Sequence, residues 1–304
     1  MIRRSGHPVQ IKTWPTKAAA EAWARKLETE MDQATFVDVR SYRATGADLL
    51  RRYHDEVSPA KKGAKWEQVR LRKLMRAKWL AKPINDVQKL DVIRWKEAQS
   101  VSGPSLRREM VLLNSVFNHA KKEWGLPVVN PLHGVSRPAD SQPRSRRPST
   151  AELGAIRSHF SEKKMGLLVE LAIETAMRLS ELCSLKWGDV YMSERYVHLE
   201  NTKNGSERKV PLSARAVELL QAHAGAGYVF SFSAASAGVY WRRAMKELGI
   251  KDLHFHDLRH EATTRMATKL VNVLELAAVT GHKDLKMLQR YYNPDPTELA
   301  HKLG

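Results

Sequence analysis

The chain has 304 residues, too many for one small core, so two domains are expected with room for part of a third. Lys and Arg number 51 against 33 Asp and Glu, a net charge of +18 that attracts polyanions, nucleic acid foremost, though charge alone does not choose between such a partner and a merely basic surface. The single cysteine, Cys183, excludes an internal disulfide and a thiolate metal cluster; it follows Leu182 in a partly apolar helical stretch and reads as a buried structural thiol. Met1-Ile2-Arg3-Arg4 leads into no secretory signal, and no apolar run reaches the length of a membrane span, so the expected location is cytoplasmic, with no membrane partner.

In chain order, residues 8–14 (PVQIKTW) alternate like a short strand, and Thr16 is a good N-cap for the helix-forming run that follows. This strand-plus-helix piece, residues 1–35, cannot close a core alone. Residues 36–135 are helical by pattern, with Lys82-Pro83, Gly103-Pro104 and Asn130-Pro131 as punctuation. In the last of these helices Met110, Leu113, Phe117, Ala120 and Trp124 mark one buried stripe. Between Lys61 and Lys78 the cations Lys61, Lys62, Lys65, Arg70, Arg72, Lys73 and Arg76 interleave with Trp66, Val69, Leu71, Leu74 and Met75, with Glu67 the lone acid. That is an amphipathic helix with a cationic face. With acids nearly absent for pairing at i,i+4, phosphate contact is a better account than a solvated face, and Arg107 and Arg108 extend the set.

Residues 136–150 are polar, basic and Pro-bearing, a linker carrying Arg144, Arg146 and Arg147 that would let two basic domains close around a duplex. Ser149 with Glu152 reads as a capping box opening the last domain, residues 151–304. That domain is helix-rich with one β-hairpin, YVHLE and RKVPL around a turn at Asn204-Gly205, so the fold class is mainly α with a small β-hairpin or sheet.

The chemistry lies in types and order. Arg178 follows an apolar helix, with Glu181 three residues on, and Lys203 sits at the hairpin tip. His256, Arg259 and His260 fall at i, i+3 and i+4, on one helical face. His282 follows Gly281, and Tyr291 lies nine residues further on, beside Tyr292. Taken singly, each arginine is as readily an ion-pair partner and Lys203 an ordinary turn lysine. His254, His256 and His260 are of a type that suits zinc, but Arg259 among them would repel the metal; RHEATT has Thr264 where H-E-x-x-H needs its second histidine. No P-loop or dinucleotide fingerprint occurs, so neither metal nor nucleotide cofactor is expected.

In these motifs, AMRLSEL, TKNG, HDLRH, the GH pair and the following RY, the chain resembles the tyrosine recombinase (phage integrase) family, and its wording is similar to shufflon-type DNA invertases and related phage integrases. The resemblance implies a SAM-like helical core-binding domain over 36–135 and a catalytic domain that cuts and rejoins DNA through a 3′-phosphotyrosyl intermediate without metal or ATP. Arg178 and Arg259 would clamp the phosphate, His256 and His282 would hydrogen-bond it, Lys203 would protonate the departing 5′ oxygen and Tyr291 would attack. His256 would also be able to take the tyrosine proton, with Glu181 and His260 supporting from behind. Tyr292 is the rival nucleophile.

The implied partners are double-stranded DNA with specific recombination sites, a homo-tetramer assembled on it, and accessory DNA-bending or directionality factors. A topoisomerase-like nick-and-reseal enzyme and a non-enzymatic DNA-binding regulator are the other functions such a chain would serve. Ala176 stands where the family usually has glycine, and alanine is expected to be tolerated if that residue is still helical. Residues 1–35 resemble part of an arm-site-binding domain that would need further strands or an upstream start. The tail PDPTELAHKLG would dock through Leu299 and Leu303 on a neighbouring subunit or on its own domain.

Overall fold

A computed structural model describes residues 1–7, 9–33, 44–142, 144–161, 164–200, 207–270, 272–292 and 296–303. It divides into two compact units, Met1–Gln142 and Pro143–Gly304, a boundary that falls inside the Pro-bearing basic segment. Among the described residues no helix is long and apolar enough to cross a membrane.

The first unit opens with a correction. Among the described residues of PVQIKTW no strand forms; Gln10 pairs with Ile2 in an isolated antiparallel bridge. Alternation alone cannot hold a strand without a partner ladder, and one bridge supplies no ladder. Helix α1 (Lys17–Asp32) follows, with the Thr16 hydroxyl accepting the Ala19 amide at 3.3 Å. Helices α2 (Gly46–Glu56), α3 (Ala64–Leu74), α4 (Lys89–Glu97) and α5 (Gly103–Lys122) make the helical body. Thr45 and Asp48 form a reciprocal capping box that starts α2. Met110, Leu113, Phe117 and Ala120 on α5 are wholly buried, packing in one core with Leu49, Leu50 and Leu71.

Helix α3 departs from the expected apolar set. Leu71 and Leu74 are buried, but Trp66 is 70% and Val69 45% exposed. At about 100° per residue, Val69 lies roughly 200° from Leu71, so the two cannot share a face. Trp66 and Val69 therefore stand among the cations.

In the second unit, Ser149 and Glu152 exchange backbone–side-chain hydrogen bonds at 3.1 and 2.8 Å and cap α6 (Thr150–Phe160). Helix α7 (Lys164–Thr175), KMGLLVELAIET, is apolar nearly all round and forms the centre of the unit, touching α6, the short α8 (Leu179–Cys183), α9 (Ala214–Gln221) and α11 (Phe255–Ala267). Strands β1 (Val190–Tyr191), β2 (Tyr196–Leu199) and β3 (Arg208–Pro211) form an antiparallel sheet in that order, one strand more than the hairpin pattern gives. Val197 faces Val210 in the register, and both are buried. Helices α10 (Ala234–Glu247), α12 (Val273–Thr280) and α13 (Pro296–Leu303) complete the order, and the Trp241 indole of α10 donates to the Leu253 carbonyl at 2.9 Å. Cys183 is 9% exposed, and burial pushes its thiol up to about 11, as suits a packing residue. The hairpin turn, with Lys203, Asn204 and Gly205, lies outside the described residues.

Candidate active site

The site begins where α7 stops. Ala176 has φ 52°, in the left-handed region, and is completely buried, so the right-handed helical conformation on which its easy tolerance depends is absent. A Cβ there costs about 1–2 kcal/mol that glycine would not. The turn has two consequences: the Ala176 carbonyl accepts Arg259 Nη1 at 2.5 Å, and the chain re-enters helix at α8 with Arg178 as its N-cap.

Arg178 is held by Glu181, whose carboxylate accepts its backbone N–H at 2.8 Å and its Nη1 at 2.8 Å; its Nη2 reaches the Gly281 carbonyl at 3.5 Å. Glu181 has a second guanidinium, Arg208 of β3, which donates through Nη1 and Nη2 at 2.9 and 2.8 Å. Burial alone would raise this carboxyl; the hydrogen bonds from Arg208 and Arg178 overcome it and hold it at about 2. The family motifs do not point to Arg208, yet a signal exists: in RKVPL it shares the strand face of buried Val210, and an inward arginine needs a carboxylate. Its guanidinium also explains Gly281, which has φ 70°; a Cβ there would stand 2.7 Å from Arg208 Nη1.

Arg259 is 4% exposed on α11. Besides Ala176, its Nη2 donates to the Thr280 carbonyl at 2.6 Å and lies 3.4 Å from His282 Nε2. Burial, then the Arg178 charge, lowers it to about 10, which leaves it cationic at neutral pH. The Thr280 hydroxyl donates to the Leu276 carbonyl at 2.6 Å, so it must accept from His282 Nδ1, also 2.6 Å away. His282 Nε2 is thereby left as the unprotonated nitrogen.

Burial and then Arg259 and Arg178 push His282 down to about 4; desolvation, then His260 and Arg259, do the same to His256. Both imidazoles are neutral beside cations. An arriving anion would cancel those cations and raise both imidazoles toward their ordinary range, so they would be able to take up protons and donate to it. Arg178, His256, Arg259 and His282, together with Lys283, line one cleft of about 500 Å³.

Tyr291 ends a short 3-10 turn, Gln289–Tyr291, and its phenol meets His260 Nδ1 at 2.5 Å. The expectation was a supporting role for His260 and the phenol contact for His256; the structure puts His260 against the hydroxyl, with the His256 ring 5.3 Å from that of His260, edge to face. Tyr292 instead donates its hydroxyl to the Leu270 carbonyl at 2.6 Å. Among the described residues no group of three or more His, Cys, Asp or Glu is placed to share a metal ion.

The other cations named from sequence divide in two. Lys61 bonds Tyr53 and Glu67, Lys73 bonds buried Glu109, and Arg107 bonds the Pro138 carbonyl and neighbours Asp140. Arg144 bonds Asp252 and Asp257, Arg146 bonds Glu152, and Arg147 bonds Glu261. Lys62, Lys65, Arg70, Arg72, Arg76 and Arg108 make no ion pair among the described residues.

A mainly helical unit with a small antiparallel sheet thus holds two fixed arginines and two imidazoles along one cleft, with a half-buried phenol against His260. Residues 153–298 match the phage integrase family. The chain is 36% identical over 272 residues to a shufflon-specific DNA recombinase of Escherichia coli, covering 84% of this chain and 70% of that one. In fold it resembles the Tn1549 transposon integrase in complex with transposon right-end DNA (TM-score 0.68, 19% identity, 85% of this chain and 98% of that). It also resembles a lambda integrase dimer bound to a core site (TM-score 0.70, 21% identity, 91% and 87%). The chain belongs to the phage integrase family and is a tyrosine-type site-specific DNA recombinase.

Proposed function

We propose that this recombinase cuts each strand by attack of Tyr291 on a DNA phosphorus, conserving the bond as a 3′-phosphotyrosyl link that a partner strand's 5′ hydroxyl reverses. The observation that carries this reading is the cleft shared by Arg178, His256, Arg259 and His282, with Tyr291 bonded to the same helix that carries Arg259. Arg259 places one N–H on each of two backbone carbonyls, which fixes its plane and leaves its remaining donors for phosphate oxygens. Donors fixed beforehand act on charge as it develops in the transition state without reorganising. Protons and cations alone serve this chemistry, so neither a divalent ion nor ATP enters it. Lys203 would protonate the leaving 5′ oxygen.

The first helical unit and the cations of α3 without ion pairs would hold the duplex, residues 136–150 joining it to the catalytic unit. Two duplexes and four tyrosines make a tetramer on DNA, with accessory proteins setting direction. Leu303 is 87% exposed, which favours a tail that reaches a neighbouring subunit over one closing on its own unit.

Denaturing gels after incubation with site-bearing DNA test the reading. Wild type should leave a covalent protein–DNA adduct in the presence of a chelator, and Tyr291→Phe should bind the same DNA and leave none. An adduct in the variant, or one that requires a divalent ion, would contradict it.

A further inference from the structure

Tyr291 is a poor nucleophile as it rests. Burial raises its phenol above the ordinary range, and the opposing charges of Arg290 and Arg259 do not reverse this. A proton acceptor is therefore needed at the hydroxyl. His260 Nδ1 lies 2.5 Å from the Tyr291 oxygen, within contact of the reacting atom, whereas His256 faces the phosphate cleft. Both histidines belong to α11, one turn apart, so a single helix presents one imidazole to the phenol and another to the phosphate.

Resting on the recombinase reading above, we infer that His260 is a catalytic residue that accepts the Tyr291 proton during strand cleavage and returns it during rejoining. In the forward step the bond from the Tyr291 oxygen to phosphorus forms as the bond from phosphorus to the 5′ oxygen breaks. The phenol proton passes to His260 Nδ1, and the 5′ oxygen takes a proton from a separate ammonium, that of Lys203. Each cut leaves one imidazolium and one neutral amine, and rejoining restores both.

The surroundings keep His260 a base. From α11 it faces Asp257, Arg259 and His256; from the turn before Tyr292, Arg290 and Tyr291; and from the segment before α6, Arg144. Burial, then the Arg290 charge, lowers it below the ordinary imidazole range, with Asp257 opposing. At neutral pH the ring is therefore uncharged, and with its own proton on Nε2 its Nδ1 accepts from the hydroxyl; the phenol proton moves only as the new bond to phosphorus takes charge off the phenol oxygen.

A purely structural histidine would hold the phenol by the same hydrogen bond, so the test separates holding from accepting. Duplexes of randomised sequence, selected for binding by the wild type and resynthesised with a nick beside the cleaved phosphate, give single-turnover adduct formation as readout. His260→Asn keeps an acceptor close to the Nδ1 position but takes no proton. It should bind these duplexes as wild type does and form adduct about 100-fold more slowly. A ring-fluorinated tyrosine in place of Tyr291, with its more acidic phenol, should recover about tenfold or more of that loss in His260→Asn and give no comparable gain with His260 present. Adduct formation by His260→Asn within about threefold of wild type, or no recovery from the fluorinated phenol, would overturn the inference. Tyr291→Phe run alongside keeps the two claims apart: adduct in that variant removes the nucleophile itself, while its absence together with a fast His260→Asn removes only the role of His260.

Discussion

Arg259 and Arg72 carry the same guanidinium under opposite rules. Arg259 is 4% exposed, with two N–H groups fixed on the carbonyls of Ala176 and Thr280. Arg72, on α3 with Lys65 and close to Lys62 and Arg76, is exposed and makes no ion pair among the described residues. A cation held in one place before substrate arrives stabilises charge that develops at that place; a mobile, solvated cation finds any phosphate nearby and releases counterions as it does. In the proposed function the first would serve rate and the second affinity. Lys73, Arg144, Arg146 and Arg147 show that basic sequence does not distinguish the two, since each is already engaged by a carboxylate.

Breaking the fixed side should have the largest effect. Arg259→Lys keeps the charge but loses the planar fork, and single-turnover cleavage should fall by about 10²–10³-fold while DNA affinity stays within a few-fold. A matched fall in affinity would mean that Arg259 only binds. Arg208→Ala removes one of the two guanidiniums on buried Glu181, and urea unfolding should show a loss of about 2–3 kcal/mol, less than a fully orphaned carboxylate because Arg178 remains. No loss would show that Arg178 alone balances Glu181.

On the loose side, Lys62→Ala with Arg72→Ala should flatten the dependence of log affinity on log salt by about one unit for each phosphate no longer neutralised, with cleavage of bound DNA unchanged. An unchanged slope would take α3 off the DNA. The smallest effect is expected at Ala176→Gly: relief of the left-handed alanine, offset by added freedom in the unfolded chain, should stabilise by about 1 kcal/mol or less, read from the same urea titration. Destabilisation would mean that the methyl group's packing outweighs its strain.

What the sequence disclosed and what it hid follow the same physical line. Caps at Thr16 and Ser149 and the buried stripe from Met110 to Ala120 were legible because the interactions that make them are local or periodic. The i, i+3, i+4 spacing of His256, Arg259 and His260 was legible for the same reason. Three features depended on contacts distant in the chain: the left-handed turn at Ala176, the Arg208–Glu181 pair and the His260–Tyr291 contact. Glycine is the usual residue for such a turn, and alanine disguises it. Arg208 was readable from strand alternation, but the partner it required was not. On α3, counting apolar residues without phase placed Trp66 with Leu71, though a helix sets them on different faces.

The most direct test of the central claim is to digest the trapped protein–DNA adduct and locate the modified residue by tandem mass spectrometry. The account predicts a nucleotide 3′-phosphate on the oxygen of Tyr291 and an unmodified Tyr292. A nucleotide on Tyr292, or on any side chain other than Tyr291, would contradict it.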